Sequence, residues 1–350
     1  MTHANPHTHS NMPWHTTRHP RLWMDAILAL VIVLSLAFLA TRTNSAFASA
    51  VRAFLPGRSA EVEQEPLLRS VDRATVPELI AALKDPVPSV RISSAEALGS
   101  KHAEAASDAL LAATYDSNAR VREEAAAALG EIGDIKTLPR LRELEAVSGN
   151  TLVEMAAFEA EGKITADVAA ALNVPRSGVQ ALTVTQNGVA YAAALNDFYT
   201  LRGNAWQQIS HLPAIPNDIS AAPDGRLIFM STDSSGLYQS QDGGGTWEHL
   251  QYGMQTPTQL KTTAVAVNPR NTDQVFAALA VNGSTSDLLN PLGIASSNDG
   301  GKTWSMLPNS ANSTVTRALI IDRTNPRLLY GLSDVGSWGY QLPPDAASTR

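Results

Sequence analysis

The sequence predicts a multidomain chain of mixed α and β class. A transmembrane helix or signal segment comes first, then a short α-solenoid, then an all-β region of about four radially repeated units, the last incomplete. Three observations carry this reading. An uncharged apolar run lies near the N-terminus, a helical pattern recurs 31 positions on, and the octet Ser-x-Asp-x-Gly-x-Thr-Trp occurs twice in the second half.

Residues 1–23 read as a disordered tail. His3, His7, His9, His15 and His19 lie there, but Pro6, Pro13 and Pro20 oppose a helix and the histidine spacing is irregular. Residues 24–41 follow, with Ala26 to Ala40 free of charge. A bilayer core of ~30 Å needs about twenty helical residues, so this stretch is long enough to span. Arg18 and Arg21 before it favour an N-in orientation, which places the bulk of the chain outside the cytoplasm. Small-x-small patterns at Ala46-Phe47-Ala48 and Ala48-Ser49-Ala50 give the alternative, a signal peptide cleaved near Ala48 or Ala50 with the rest secreted. Residues 42–73 read as a linker.

Length and composition bound the rest. A chain of 350 residues suits two or three domains with separate cores. A net charge of −7 lacks the general attraction to nucleic acid, so no nucleic-acid partner is expected. With no cysteine there is no disulfide, thiolate metal site or cysteine nucleophile.

The helical pattern fills residues 74–162. Asp85 falls on Asp116, Val90-Arg91 on Val121-Arg122, and Ala97-Leu98-Gly99 on Ala128-Leu129-Gly130. Leu79, Ile80 and Leu83 form an apolar stripe at helical spacing. Asp85-Pro86 ends one helix, and the next begins near Ser89. Gly99 and Gly130 are expected as left-handed helix caps. Asp85, Arg91, Asp116 and Arg122 are expected to form a ladder, each carboxylate meeting an arginine and an open helix N-terminus. A decayed third copy starts at Leu138, with Val147 and Val153 in place of the ladder residues. The repeated Asp-x4-Val-Arg-x3-Ala-x-Ala-Leu-Gly resembles the HEAT-type repeat, in the short form seen in phycobilisome-lyase subunits. That resemblance implies a binding scaffold.

Residues 163–176 read as a linker or a closing strand. Over 177–341 the pattern turns to short alternating runs divided by turn residues, four per unit, which is the signature of propeller blades. Three units are complete and the last lacks its fourth strand. The octets, Ser240, Asp242, Gly244, Thr246, Trp247 and Ser297, Asp299, Gly301, Thr303, Trp304, fall between third and fourth strands. Glycine permits positive φ there, serine and aspartate can bond turn amides, and tryptophan buries a large ring. Arg202 to Trp206 looks like a degenerate copy without the aspartate. These octets resemble the Asp-box of BNR-type propellers such as sialidases, sortilin-like receptors and photosystem assembly factors. The resemblance implies a structural role on the blade rim, away from the central channel. Residues 342–350 read as a tail.

Catalytic chemistry is not expected. After Gly162 the only glutamate is Glu248, and Asp218, Asp224, Asp273 and Asp322 read as turn residues. No nucleophile elbow or zinc-binding helix motif occurs, and no metal or cofactor is expected. The leading expectation is a non-enzymatic, membrane-anchored interaction scaffold with a protein partner, with membrane contact through 24–41. The alternatives are a carbohydrate-active protein, sialidase-like or glycan-binding, and an assembly factor for a membrane complex. An incomplete propeller closes by one of three routes. It stays an open fan, it self-associates, or Ile164–Pro175 supplies a strand.

Overall fold

The computed structural model describes residues 73–233, 235–250, 260–283, 289–310, 314–322, 325–333 and 336–342. All lie in one compact unit, Pro66–Arg350. The expected tail at 1–23, the anchor or signal segment at 24–41 and nearly all of the linker at 42–73 lie outside the described residues. Among the described residues no helix is long and apolar enough to cross a membrane.

Three helix pairs come first: α1 (Val76–Ala82) with α2 (Pro88–Ser100), α3 (Ser107–Ala113) with α4 (Ala119–Ile132), and α5 (Leu138–Val147) with α6 (Thr151–Leu172). Local chemistry sets their ends. At α1 the Thr75 amide donates to Glu78 Oε2 at 2.8 Å, closing a capping box. Asn118 accepts the Arg120 and Val121 amides of α4, and Asn150 the Leu152 and Val153 amides of α6. Gly133 (φ 74°) and Asn173 (φ 55°) end the same helices in left-handed conformation.

Gly99 and Gly130 are not caps. Both lie inside helices and are buried. A Cβ on Gly99 would come within 2.8 Å of Ala128 Cα, and one on Gly130 within 2.6 Å of Ala160 Cα. They are the points where α2, α4 and α6 cross most closely, so their lack of a side chain serves helix packing rather than backbone freedom.

The polar ladder has one full rung. Arg91 Nε and Nη2 donate to the two oxygens of Asp116 at 2.8 Å each, and its Nη1 donates to the Asp85 carbonyl at 2.8 Å. Arg122 repeats only the second half, donating to the Asp116 carbonyl at 2.9 Å. Asp85 instead accepts its own turn amide, from Val87 at 2.8 Å. The expectation that every carboxylate meets an arginine therefore holds at Asp116 alone. The reason is directional: Arg91 reaches forward to the aspartate of the next repeat, whereas the third copy carries Val147 at that place and offers Arg122 no carboxylate.

The expected linker or closing strand at 163–176 is mostly helix, since α6 runs on to Leu172. Its alanine-rich end carries no proline before Pro175. Gly162, inside the helix, does not break it; a Cβ there would come within 2.5 Å of the Arg176 guanidinium.

Four antiparallel meander sheets follow, each in chain order outward. They are β1 (Val179–Val184) to β4 (Ala205–His211), β5 (Pro216–Ala221) to β8 (Glu248–Leu250), β9 (Leu260–Val267) to β12 (Ser305–Met306), and β13 (Thr316–Ile321), β14 (Leu328–Ser333) and β15 (Gly336–Gln341). The first strands β1, β5, β9 and β13 pack side by side around one centre, so the sheets stand as blades of a fan. Leu342, expected in the tail, is buried in the last sheet's core, and its amide bonds the Arg327 carbonyl at 2.8 Å.

Ile164–Pro175 supplies no closing strand, because α6 takes most of it. Helix α5 packs against β1 on one side and against β13, β14 and β15 on the other. The helical repeats thus fill the open side of the fan. One apolar core runs from Leu79 through Leu141 and Ile164 to Leu182 and Ala192 of the first sheet.

Candidate functional site

The octets occupy the β7–β8 turn, where β7 spans Leu237–Ser240, and the β11–β12 turn, where β11 spans Leu289–Ser297. In the first, Ser240 Oγ donates to Asp242 Oδ1 at 2.8 Å and accepts the Gly244 amide at 2.8 Å. Asp242 in turn accepts the Thr246 amide at 2.9 Å and hydroxyl at 2.8 Å. Ser297, Asp299, Gly301 and Thr303 repeat these contacts. The Thr246 amide and Ser240 hydroxyl hold Asp242 at a pKa of about 2. The Thr303 hydroxyl and amide do the same for Asp299, also about 2. Both carboxylates are thus bonded within their own turns.

Each octet also grips the preceding sheet. Ser210 Oγ in β4 donates to the Gly244 carbonyl at 2.5 Å, and Trp247 stands edge-on to Phe198 at 5.1 Å. Gln239 of the second sheet donates to the Gly300 carbonyl at 2.9 Å, and Trp304 is buried with its Nε1 on Gly301. The degenerate copy at Arg202–Trp206 is a two-residue hairpin turn, Arg202 pairing with Ala205.

The concave feature is elsewhere. A cavity of about 220 Å³ lies where α5 faces the inner strands of all four sheets. Aliphatic residues of all four sheets line it, with Asp218, Arg142, Glu143 and Arg270 supplying charge. Asp218 is not a turn residue. It sits in β5 at a shift of register between Pro216 and Asp218, and such irregularities re-aim a side chain. Its carboxyl accepts amides from Ile219 at 2.9 Å and from Val265 of β9 at 3.2 Å. Burial pushes its pKa up to about 6 despite Arg142 nearby.

Helix α5 carries four charges that the sequence reading passed over, Arg142 and Glu143 among them. Arg142 Nε and Nη2 donate to Glu161 Oε1 at 2.9 and 2.8 Å, and Nη1 donates to the Leu182 carbonyl of β1 at 3.1 Å. Glu145 pairs with Arg317 of β13. Arg140 holds the end of α3 through Thr114, stacks over Tyr115 and pairs with Glu143 at 3.1 Å. The available signal was Arg-x-Arg-Glu-x-Glu inside a helix whose Leu138, Leu141 and Leu144 are all buried. Charges on so enclosed a helix need partners.

The titration of Asp218 has a readable consequence. Its folded pKa lies above the ordinary 3.8, so its contribution to stability is full below pH 3.8 and is lost as pH rises through about 6. Glu124, pushed by burial and by Glu96 to about 7, acts in the same direction. Asp242 and Asp299 act oppositely, but only as pH falls below 3.8. Thermal unfolding between pH 5 and 7.5 should therefore show stability falling with pH. Asp218 accounts for on the order of 1 kcal/mol of that fall. Asp218→Asn should flatten the slope by that amount; an unchanged slope would mean the carboxyl is already ionised at pH 5.

The described chain is thus a helical-repeat segment joined to a fan of propeller-type sheets. Residues 76–171 match the family of HEAT repeats. No curated protein matches the chain. Among solved structures, YCF48 from Cyanidioschyzon merolae is similar at 14% identity and TM-score 0.37, over 47% of this chain and 50% of that one. YCF48 bound to D1 peptide is similar at 15% and 0.39, over 49% and 52%. The GH74 xyloglucanase from Xanthomonas campestris is similar at 15% and 0.38, over 51% and 32%. The chain spans about half the length of the YCF48 structures it matches.

Proposed function

We propose that the protein is a non-enzymatic scaffold for protein–protein contact, held at a membrane through residues 24–41 with the bulk of the chain outside the cytoplasm, and that it serves the assembly of a larger complex. The observation that carries this is an apolar stripe on α6. Leu152, Met155 and Phe158 recur at helical spacing and are 56%, 53% and 57% exposed. Three large apolar side chains on one helix face mark an interaction surface. The charged groups of the central cavity, by contrast, are engaged with one another or with backbone. Asp218 holds two amides and Glu143 is paired with Arg140, which leaves a two-carboxylate glycosidase poorly equipped. The likeness to the YCF48 structures is remote, and the reading rests on α6.

The test is capture of the tagged full-length protein from its native membranes after cross-linking, beside a variant with Leu152, Met155 and Phe158 all replaced by serine. The expected result is a stoichiometric protein partner cross-linked to α6 and lost from the triple variant, whose unfolding temperature stays unchanged. A partner retained by that variant would remove α6 from the contact. Turnover of fluorogenic glycosides by the purified protein would overturn the non-enzymatic reading.

A further inference from the structure

Among the described residues β15 is the outermost strand of its sheet, whereas the other three sheets each carry a fourth strand at that place. The phase of the ladder shows which of its groups are unpaired. The Leu342 amide donates to the Arg327 carbonyl, and Leu328 faces Gln341 in the register. Hydrogen-bonded pairs alternate with non-bonded ones in an antiparallel ladder. The backbone groups of Trp338 and Tyr340 therefore point to β14, and those of Ser337, Gly339 and Gln341 point outward. These last three residues are exposed.

A groove of about 320 Å³ lies against the start of this strand, at Gly336 and Ser337, between the last sheet and α6. Leu332, Met155 and Phe158 give it apolar walls, and Glu145, Glu154 and Arg317 give it charge. Arg317 is committed to one oxygen of Glu145. The other oxygen, Oε2, is buried and has no hydrogen-bond partner. A buried carboxylate oxygen without a donor is costly, so the groove is short of one cationic or N–H group.

We propose that β15 and this groove accept an extended segment of a partner protein as the fourth strand of the sheet. The segment carries apolar side chains at alternate positions and a lysine or arginine set against Glu145. This rests on the scaffold reading and adds to it the mode of contact. Backbone pairing at a free sheet edge supplies affinity, and pockets for alternate side chains supply selectivity. Residues 343–350 of the chain itself open with Pro343-Pro344, which have no N–H to give a ladder.

The probe is a displayed library of random twelve-residue peptides, selected on the full-length protein. Enriched peptides should alternate apolar residues around a lysine or arginine. Their affinity should fall at least tenfold on Gly339→Pro, which removes an outward N–H while sparing the bonds to β14, and should be unchanged on Gly339→Ala. Ser337→Pro, on the same outward phase, serves if the first variant unfolds. Amide exchange at Ser337, Gly339 and Gln341 should slow in the complex. Failure of any peptide to enrich, or equal binding to Gly339→Pro, overturns strand addition. So does a dimer that Gly339→Pro dissolves, which gives the edge to a second copy, or peptide binding that appears only after residues 343–350 are deleted, which gives it to the chain's own end. Partner capture through α6 that survives Gly339→Pro would leave the scaffold reading standing while strand addition falls.

Discussion

Replacing Arg142 by alanine is expected to lower stability by about 3–5 kcal/mol, the range for breaking a buried ion pair by removing one partner. Its guanidinium ties α6 to β1 through Glu161 and the Leu182 carbonyl, and its side chain is only 22% exposed. Truncation leaves Glu161 without its counter-charge and also removes the positive charge nearest Asp218. The loss should appear as a fall in unfolding temperature of roughly 6–15 °C in a calorimetric scan. A double variant, Arg142→Met with Glu161→Leu, should recover much of it, because the uncompensated charge goes as well. A fall below about 2 °C for Arg142→Ala would show that the helical repeats are not fastened to the fan at this point.

The second large effect concerns Gly244→Ala. Gly244 has φ +93°, and a Cβ there would lie 2.2 Å from a ring carbon of Phe198 in the preceding sheet. Backbone strain of about 1–2 kcal/mol adds to overpacking of about 1–3 kcal/mol. Two other glycines separate the contributions. Gly203 has φ +60° and open space around it, so Gly203→Ala reports strain alone. Gly301 has φ +91° with its nearest neighbours, on Phe229 and Leu250, at 3.0 and 3.1 Å, a milder clash than the one at Gly244. The expected order of destabilisation in urea titrations is Gly244, then Gly301, then Gly203. Equal losses at all three would mean that contact with the neighbouring sheet contributes nothing.

How much of this was legible in the sequence depended on the range of the interaction. The strands were readable because alternation and turn residues are local, and the division into three sheets of four strands and one of three follows from them. The helix pairs were readable from the recurrence of Asp-x4-Val-Arg. Gly99 and Gly130 were misread because a glycine near a helix end looks alike whether it caps or lets another helix approach; only the partner, Ala128 or Ala160, decides. The stretch after Gly162 was misread as a linker because a glycine at the end of a pattern suggests a stop, while Arg176, which fills the space it leaves, is fourteen positions on. The central cavity was not legible. Asp218, Arg142 and Glu143 come from distant parts of the chain, and no periodicity connects them.

Each octet bonds backward along the chain. The Gly244 carbonyl is held by Ser210, and the Gly300 carbonyl by Gln239, each in the sheet just completed. The first sheet in turn rests on helices that precede it, through the core shared by Ile164 and Leu182. Every docking contact of this kind therefore has its receiving surface already made when the docking residue leaves the ribosome. The fan can be laid down one sheet at a time during synthesis, with no sheet waiting for a later one to give it a seat. The exception is the packing of α5 on the last sheet, which includes the pairing of Glu145 with Arg317 across 172 positions and can form only after β13 to β15 have emerged. That packing is the final fastening of a structure otherwise built in the order of translation.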